Sequence, residues 1–299
     1  IYKFYFGRMA LGNGSFTTQF ILMGLTDQPD LQLPLYFLFL GMYMVTVMGN
    51  LGLIILIGLS SHLHTPMYFF LFNLSFIDLC YSSVFTPKML INIILYFFSF
   101  FGISECYVLT SMAYDRYVAI CNPLFYNIAM SSKVCSSLVL GSYLMAVLDA
   151  TTLITCMMRL TFCDANTINH YLCDIHLLLQ LSCTSTHIIE LEVFIVGGIN
   201  IIMPSLTIFV SYGLILSNIL HISSTDGRSK AFSTCSSHII AVSLFFGSSA
   251  FMYLKPPSVS VDDGKISSVF YTNVVPMINP LIYSLRNKDV KKTLRMGRF

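Results

Sequence analysis

The sequence predicts an all-α membrane protein, a bundle of seven transmembrane helices. Three observations support this fold class: 56% of the 299 residues are apolar, only 10% are charged, and the mean hydropathy is +0.75. Ordinary soluble domains carry about 25% charged residues, and a soluble chain of this composition would lack the polar residues to cover its surface. The same composition excludes disordered and collagenous chains, and the net charge of +2 does not indicate nucleic-acid binding.

Apolar runs that are long enough to cross a bilayer define the elements in order. A hydrocarbon core of about 30 Å needs about 20 residues per helix. The seven-transmembrane domain covers residues 33–285, between an N-terminal segment (1–32) and a short basic tail (286–299). The predicted spans are Leu33 to Leu59, Pro66 to Lys88, Ile93 to Ile120, Val134 to Met158, Val193 to Ile219, Ser236 to Leu254, and Ser267 to Leu285.

The N-terminal segment lacks the continuous apolar run, ending in small residues, that marks a cleavable signal peptide. We therefore expect the first span to act as the targeting signal. The first methionine is Met9, and residues 1–8 are assigned no structural role. The tripeptide Asn13-Gly14-Ser15 predicts glycosylation of Asn13, whereas the similar Asn73-Leu74-Ser75 lies inside the second span and is excluded.

The distribution of Lys and Arg predicts an extracellular N-terminus and a cytoplasmic C-terminus. With this orientation most basic residues lie on the inner side and most acidic loop residues lie on the outer side, as the positive-inside rule requires. The basic tail has the pattern of a short helix along the inner membrane surface, or is a disordered tail. The inner Lys and Arg residues are Arg116, Lys133, Arg228, Lys230, Arg286, Lys288, Lys291, Lys292, Arg295 and Arg298.

Three carboxylates, Asp78, Glu105 and Asp149, lie within predicted spans, together with Asn50 and Asn279. An ionisable side chain inside a bilayer costs a few kcal/mol, so each should face the bundle interior and is a candidate functional residue. They are neutralised either by protonation and hydrogen bonding or by a bound cation. For Asp78 and Glu105 with Asn50 we expect a sodium ion, because hard cations prefer oxygen ligands. The role of Asp149 stays open.

Proline within an apolar helix frees a carbonyl and kinks the axis. Pro204 and Pro280 occupy such positions in the fifth and seventh spans. Pro280 follows Asn279 and precedes Tyr283, so one short stretch combines a kink, an amide and a phenol. This combination is typical of a conformational switch.

Five stretches are distinctive enough to indicate a family. MAYDRYVAICNPLFY (112–126) ends the third span, and the others are PMYFFLFNLSFIDLC (66–80), SY (211–212), KAFSTCSSH (230–238) and PMINPLIYSLRN (276–287). Together they resemble the olfactory receptor family of rhodopsin-like (class A) G protein-coupled receptors, over Met9 to about Lys292. The resemblance implies that a small volatile odorant, bound in the outer half of the bundle, favours an arrangement that activates a stimulatory, olfactory-type heterotrimeric G protein.

The resemblance also implies a location and a switch at the inner end of the bundle. The receptor would lie in the plasma membrane of olfactory neuron cilia. Arg116 would pair with Asp115 at rest and then turn toward Tyr212, Tyr283 and the G protein. The other residues of this switch are Tyr117, His238, Asn279 and Pro280.

The ligand site that the resemblance implies is lined mainly by apolar and small residues. Such a cavity suits small volatile organic molecules, for which burial supplies most of the affinity. For each of these residues ordinary helix packing is the alternative. They are Phe98, Ser99, Gly102, Ile103, Gly197, Asn200, Phe246, Ser249, Ala250, Tyr253 and Thr272.

The chain departs from the family before the third span. The family has a cysteine where this chain has Ile91, and Thr86 to Tyr96 connects the second-span motif directly to the third, so the first outer loop and the helix start are deleted. By resemblance Cys163 pairs with Cys183 and Cys173 is left unpaired. A poorly folding receptor relic is therefore an alternative, since a lost disulfide costs about 2 to 5 kcal/mol. Phe246 replaces the usual tyrosine.

Two further classes are weaker alternatives. An ion channel or transporter would also place carboxylates in the membrane, but the sequence has no internal repeat. An enzyme is not expected, since only His238 among the histidines lies within a span. A zinc ion held by Cys173 with His170 or His176 is a minor alternative, so no metal site is assigned.

Overall fold

The computed structural model describes residues 2–5, 19–22, 29–84, 91–160, 167–168, 178–179, 182, 187–221, 225–253, 268–286 and 290. Seven helices account for most of these residues. A π-helical turn (Phe270–Val274) leads directly into the last of them. The helices are α1 (Pro29–Leu59), α2 (Pro66–Val84), α3 (Ile91–Cys121), α4 (Ser132–Met157), α5 (His187–His221), α6 (Thr225–Tyr253) and α7 (Val275–Arg286).

Five helices, α1 to α5, are long and apolar enough to cross a bilayer, counted among the described residues alone. The prediction of a multi-span helical membrane protein is thereby confirmed. In α6 the apolar stretch is shorter, Cys235–Phe251, and α7 has 12 residues. The sixth and seventh spans are helical where they are described, but as membrane crossings they stay predictions.

The helix ends differ from the predicted spans because hydropathy marks only the part of a helix that suits lipid. α5 begins at His187 and α6 at Thr225, both well before the apolar runs that predicted them. Polar residues in water continue a helix without any apolar signal. The second span was predicted to reach Lys88, whereas α2 is described to Val84 and residues 85–90 lie outside the described residues.

A small sheet is a departure from the all-α prediction. Strand β1 (Tyr2–Tyr5) pairs antiparallel with β2 (Gln19–Leu22), and β2 pairs parallel with β3 (Thr167–Ile168). Assigning no structural role to residues 1–8 was therefore wrong for Tyr2–Tyr5. Strands of two to four residues are too short to give a readable alternation of apolar and polar positions.

Helix α3 forms the centre of the bundle. It packs against α2, α4 and α5, while α1 packs against α2 and α7. Leu74 and Ile77 of α2 and Val108, Leu109 and Met112 of α3 are at most 1% exposed, so the apolar core lies between these helices. Side chains on α3 can therefore reach residues of most other helices.

The end of the bundle where α3 finishes carries two short connections. A 3-10 turn (Ser61–Leu63) joins α1 to α2. Beyond α3 lie a 3-10 turn (Pro123–Phe125) and a single α-turn (Tyr126–Ala129), together called the loop turns below. A cavity of about 380 Å³ opens at this same end, between the end of α1 and the starts of α2 and α4.

Helices α1 and α7 approach so closely that only glycine fits at position 49. A Cβ atom on Gly49 would lie 2.9 Å from Cγ of the Pro280 ring. We expect Gly49→Ala to lower the free energy of unfolding by about 1 to 3 kcal/mol, because the rigid ring cannot move aside without shifting α7. Thermal unfolding of the protein in detergent measures this change.

Gly52 provides the matched control for this substitution. It lies on the same helix, and a Cβ there meets nothing within 4 Å. Gly52→Ala should leave the unfolding temperature unchanged or raise it slightly, since alanine is the better helix former. Equal effects of the two substitutions would contradict the close approach of α1 and α7.

Candidate functional site

The buried carboxylates of α2 and α3 meet at one amide from α7. The Nδ2 atom of Asn279 donates to Oδ2 of Asp78 at 3.1 Å and to Oε1 of Glu105 at 3.3 Å. All three side chains are at most 3% exposed. Asp78 and Glu105, which the sequence analysis paired, thus share one donor. The sequence analysis had assigned that donor, Asn279, to the switch.

Asn50 ties α1 to the same region of α7 without reaching the carboxylates. Its Nδ2 donates to the carbonyl oxygens of Thr46 at 3.0 Å and Pro276 at 3.2 Å. Its own Oδ1 and Oδ1 of Asp78 are buried and have no hydrogen-bond partner among the described residues. Two carboxylates and free oxygen acceptors form a donor set that suits a small hard cation.

At the inner switch, Asp115 is bonded to a tyrosine and not to its neighbour. The hydroxyl of Tyr126, in the loop turns, donates to Oδ1 of Asp115 at 2.8 Å. Burial, and next the Asp115 carboxylate, raise the pKa of Tyr126, so this phenol keeps the proton that it donates. The resemblance predicted an Asp115–Arg116 pair at rest, and between these two described residues no ion pair forms.

The Arg116 side chain extends toward α2, where its Nη2 contacts Sδ of Met67. Its Nε is buried without a hydrogen-bond partner. The guanidinium is close enough to Tyr212, His238 and Tyr283 to influence each of them electrostatically. Arg116 therefore lies among the predicted switch residues of α5, α6 and α7 with donors still available.

A hydrogen bond connects α5 and α6 next to Arg116. The hydroxyl of Tyr212 lies 2.5 Å from Nδ1 of His238, which is 1% exposed. The Tyr283 hydroxyl is buried without a hydrogen-bond partner. Tyr117, the neighbour of Arg116, packs on the cluster of Ile215, Ile219 and Cys235. Of the predicted switch residues, Arg116, Tyr117, Tyr212, His238 and Tyr283 thus lie close together at this end of the bundle.

Part of the predicted ligand site surrounds Tyr271, a residue that the sequence analysis missed. The Tyr271 ring lies edge-on to that of Tyr81, with ring centroids 6.1 Å apart, and its hydroxyl lies close to Ser249. Its ring centroid lies 6.2 Å from that of Phe98, and its hydroxyl lies 3.0 Å from the position of a Cβ on Gly102. The structure therefore fills the space between Phe98, Gly102 and Ser249 with an aromatic side chain.

A second part of the predicted ligand site lies between α3, α4 and α5. Asn200 of α5 is 5% exposed and lies close enough to Asp149 of α4 for the two side chains to interact. Tyr107 of α3 is close enough to Asp149 for an electrostatic interaction. The residue whose role was left open thus has partners on two helices.

The remaining predicted ligand residues are less informative. Thr272 and Ser99 are buried, and Thr272 donates to the carbonyl of Ser268 at 2.8 Å. Phe246 packs edge-on against Phe245 with ring centroids 5.1 Å apart. Ile103 and Ala250 are half-buried, and Tyr253 is described only as the last residue of α6.

Several predictions fall outside the described residues. They concern the glycosylation of Asn13, the Cys163–Cys183 disulfide with unpaired Cys173, and the zinc alternative with His170 or His176. The exclusion of Asn73 as a glycosylation site agrees with its place in α2. There its Nδ2 donates to the carbonyl of Phe69 at 2.8 Å, and its Oδ1 accepts from Tyr143 at 3.3 Å.

The loop turns present an apolar surface that the sequence analysis also missed. Leu124 is 92% exposed, Ile128 is 74% exposed and Phe125 is 64% exposed. They lie beyond the end of α3, next to Tyr126 and its bond to Asp115. The signal was available in the sequence, since Pro-Leu-Phe follows directly after an apolar span.

Comparison with known proteins identifies relatives of this chain. A family model described as olfactory receptor matches residues 39–296. Human olfactory receptor 8B3 is 67% identical over 96% of this chain and 96% of its own length. Mouse olfactory receptor 8B3 is 66% identical over 96% and 95%, and human olfactory receptor 8B8 is 64% identical over 96% and 97%.

These matches extend over nearly the whole chain, including the switch motif and the helices on which the site is built. Proteins of this family are multi-pass membrane receptors of the G protein-coupled class and act in olfactory sensory transduction. They are receptors and not enzymes. We conclude that this chain belongs to the olfactory receptor family.

Proposed function

We propose that this chain binds small volatile odorants in the outer half of its helix bundle and activates a stimulatory, olfactory-type G protein. All seven helices cross the membrane, with the N-terminus outside and the C-terminus in the cytoplasm, at the plasma membrane of olfactory neuron cilia. One observation carries the proposal. Arg116 forms no ion pair with Asp115, whose Oδ1 accepts from Tyr126, and lies among Tyr212, His238 and Tyr283 at the inner end.

The apolar surface of the loop turns supports this proposal. Exposed Leu124 and Ile128 lie beyond the end of α3. Patches of this kind mark interaction sites on proteins. Because Tyr126 holds the loop turns to Asp115, movement of α3 or of Asp115 is transmitted to the surface that meets the G protein.

A cyclic-AMP assay tests the proposed function. Cells that express the chain at their surface are exposed to a panel of volatile compounds, and we expect at least one compound to raise cyclic AMP above the level of untransfected cells. A ligand-gated current in cells without G proteins would favour a channel instead. Silence of a surface-exposed receptor throughout the panel would contradict odorant sensing.

We propose a sodium ion as the partner of Asp78 and Glu105. Sodium chloride should raise the unfolding temperature of the detergent-solubilised protein above its value in potassium chloride at equal ionic strength, because the ion binds only the folded state. Asp78→Asn should remove the difference. If the two salts stabilise the protein equally, the two carboxylates are neutralised by protons.

A receptor relic is a second candidate, which the junction before α3 favours. Only residues 85–90 separate Val84 of α2 from Ile91 of α3. The alignment with human olfactory receptor 8B3 has 301 positions, but it contains only 96% of the 299 residues of this chain. At several aligned positions the relative therefore has a residue and this chain has none. We expect a version with the missing loop and cysteine restored to reach the cell surface better. Equal surface staining would count against the relic.

The bond between Tyr126 and Asp115 gives a further prediction. In Tyr126→Phe, Asp115 loses its donor and becomes available to Arg116, so we expect the half-maximal concentration of an active odorant to rise about tenfold. Cyclic-AMP dose–response curves measure this shift. Tyr114→Phe, at a tyrosine of α3 that is 39% exposed, serves as the control. Curves that coincide with wild type for Tyr126→Phe would remove this contact from the mechanism.

A further inference from the structure

Asp149 is a carboxylate that lies within α4. Among the described residues no lysine, arginine or histidine forms an ion pair with it. The Asn200 side chain of α5 lies close enough to interact with it. Its Oδ2 atom is buried without a hydrogen-bond partner, although the residue as a whole is half-buried. A carboxylate placed in this way in a membrane-spanning helix is costly unless a ligand or a proton compensates it.

The groups around Asp149 leave two buried acceptor atoms unmatched within the described part of the chain. Asn200 is 5% exposed, its Nδ2 already donates to the carbonyl of Val196 at 2.9 Å, and its Oδ1 is buried without a partner. The half-buried phenol of Tyr107 lies nearby on α3 and is able to accept. Two unmatched acceptor atoms and a phenol therefore converge from three helices.

Open space adjoins this cluster on α5. Gly197 lies three residues before Asn200 and thus on the same helix face. A Cβ atom added to Gly197 or to Gly198 would meet nothing within 4 Å. On α3, Ile103 lies one turn from Tyr107, so an apolar side chain borders the polar cluster.

We propose that Asp149 anchors the polar group of the ligand and that the ligands of this receptor are small aliphatic amines. This inference rests on the proposed odorant-receptor function and specifies its ligand class. A primary ammonium has three donors and no acceptor, so it matches Oδ2 of Asp149, Oδ1 of Asn200 and the Tyr107 hydroxyl. Its alkyl chain lies toward Gly197 and Ile103.

Other small polar ligands match this cluster less well. A carboxylic acid brings a second negative charge to Asp149 and is repelled. An aldehyde or ketone has acceptors only and leaves the unmatched oxygens as they are. An alcohol supplies one donor. The ammonium alone satisfies several acceptors and also neutralises the charge, as charge-assisted hydrogen bonds do.

Dose–response curves for hexylamine and 1-hexanol test the proposal in cells. We expect the wild-type chain to respond to hexylamine at lower concentration than to 1-hexanol. In Asp149→Asn the hexylamine curve should move about tenfold or more to higher concentration, with the 1-hexanol curve unchanged, because only the amine loses a charge-assisted bond. The matched control is Thr152→Val, an exposed α4 position whose hydroxyl bonds within its own helix to Leu148 at 2.9 Å.

A binding measurement on detergent-solubilised protein separates this inference from the proposed function. Hexylamine should raise the unfolding temperature of the wild type and of Thr152→Val, but not that of Asp149→Asn. If this protection occurs while cells stay silent, the amine site stands and odorant signalling fails. If cells respond to neutral volatiles and hexylamine protects wild type and Asp149→Asn equally, signalling stands and the amine site is wrong. Absence of protection of the wild type also overturns the amine site.

Discussion

Replacing Arg116 with alanine is expected to reduce the odorant response to the level of cells without receptor. The guanidinium is the cation that reaches Tyr212, His238 and Tyr283, and its Nε has no hydrogen-bond partner within the described part of the chain. A hydrogen bond from a charged group contributes about 1.5 to 3 kcal/mol. If Arg116 forms two such bonds in the active arrangement, their loss in Arg116→Ala changes activation roughly 100-fold. Cyclic-AMP curves at matched surface expression measure the effect.

The control for Arg116 removes a charge at the other end of the bundle. Arg159 is an exposed residue just beyond α4, and Arg159→Ala should leave the response unchanged. Arg116→Lys should restore only a small part of the response, because an ammonium lacks the planar fork of the guanidinium. A normal odorant response in Arg116→Ala would refute the inner switch.

Replacing Asn279 with leucine is expected to lower the free energy of unfolding by about 2 to 5 kcal/mol, because two buried carboxylates lose their shared donor. The Nδ2 atom of Asn279 serves Asp78 and Glu105 at 3.1 and 3.3 Å, and all three side chains are nearly inaccessible to solvent. Thermal unfolding in detergent measures the loss.

A double-mutant cycle isolates this interaction. In the background of Asp78→Asn with Glu105→Gln, the cost of Asn279→Leu should fall to about 1 kcal/mol, since the lost hydrogen bonds are then neutral. Asn218→Leu is the matched control, because Asn218 is exposed and bonds only to the carbonyl of Leu214 at 2.9 Å in its own helix. An unchanged cost in the charge-free background would show that Asn279 acts through packing.

Much of the fold was predictable because helices that cross a membrane are strongly apolar over their whole length. Long apolar runs located α1 to α5 to within a few residues at most ends, and the sparse intramembrane carboxylates identified Asp78 and Glu105 as a pair. The extensions of α5 and α6 were not predictable in this way, because they contain polar residues. The pairing of Tyr2–Tyr5 with Gln19–Leu22 is likewise too short to leave a pattern.

The contacts that the sequence did not reveal join residues far apart in the chain. Met67 beneath Arg116 and Tyr271 beside Gly102 belong to types that usually serve as packing, so nothing in their local pattern distinguished them. Tyr126 lies 11 residues from its partner Asp115, beyond the end of the helix. Predicting these contacts requires the rotation of each helix about its axis, which periodicity leaves undetermined where a span is apolar all round.

The π-helical turn (Phe270–Val274) sets that rotation for the last helix. One additional residue per turn offsets the side chains on its two sides by about 100° around the axis relative to a continuous α-helix. Tyr271 lies within this turn and contacts α3, whereas Asn279 lies after it and reaches α2 and α3. The rotation of the helix before the turn is thus independent of its rotation after the turn, and sequence changes around Tyr271 can redirect the side chains of the first part while Asn279 keeps its contacts.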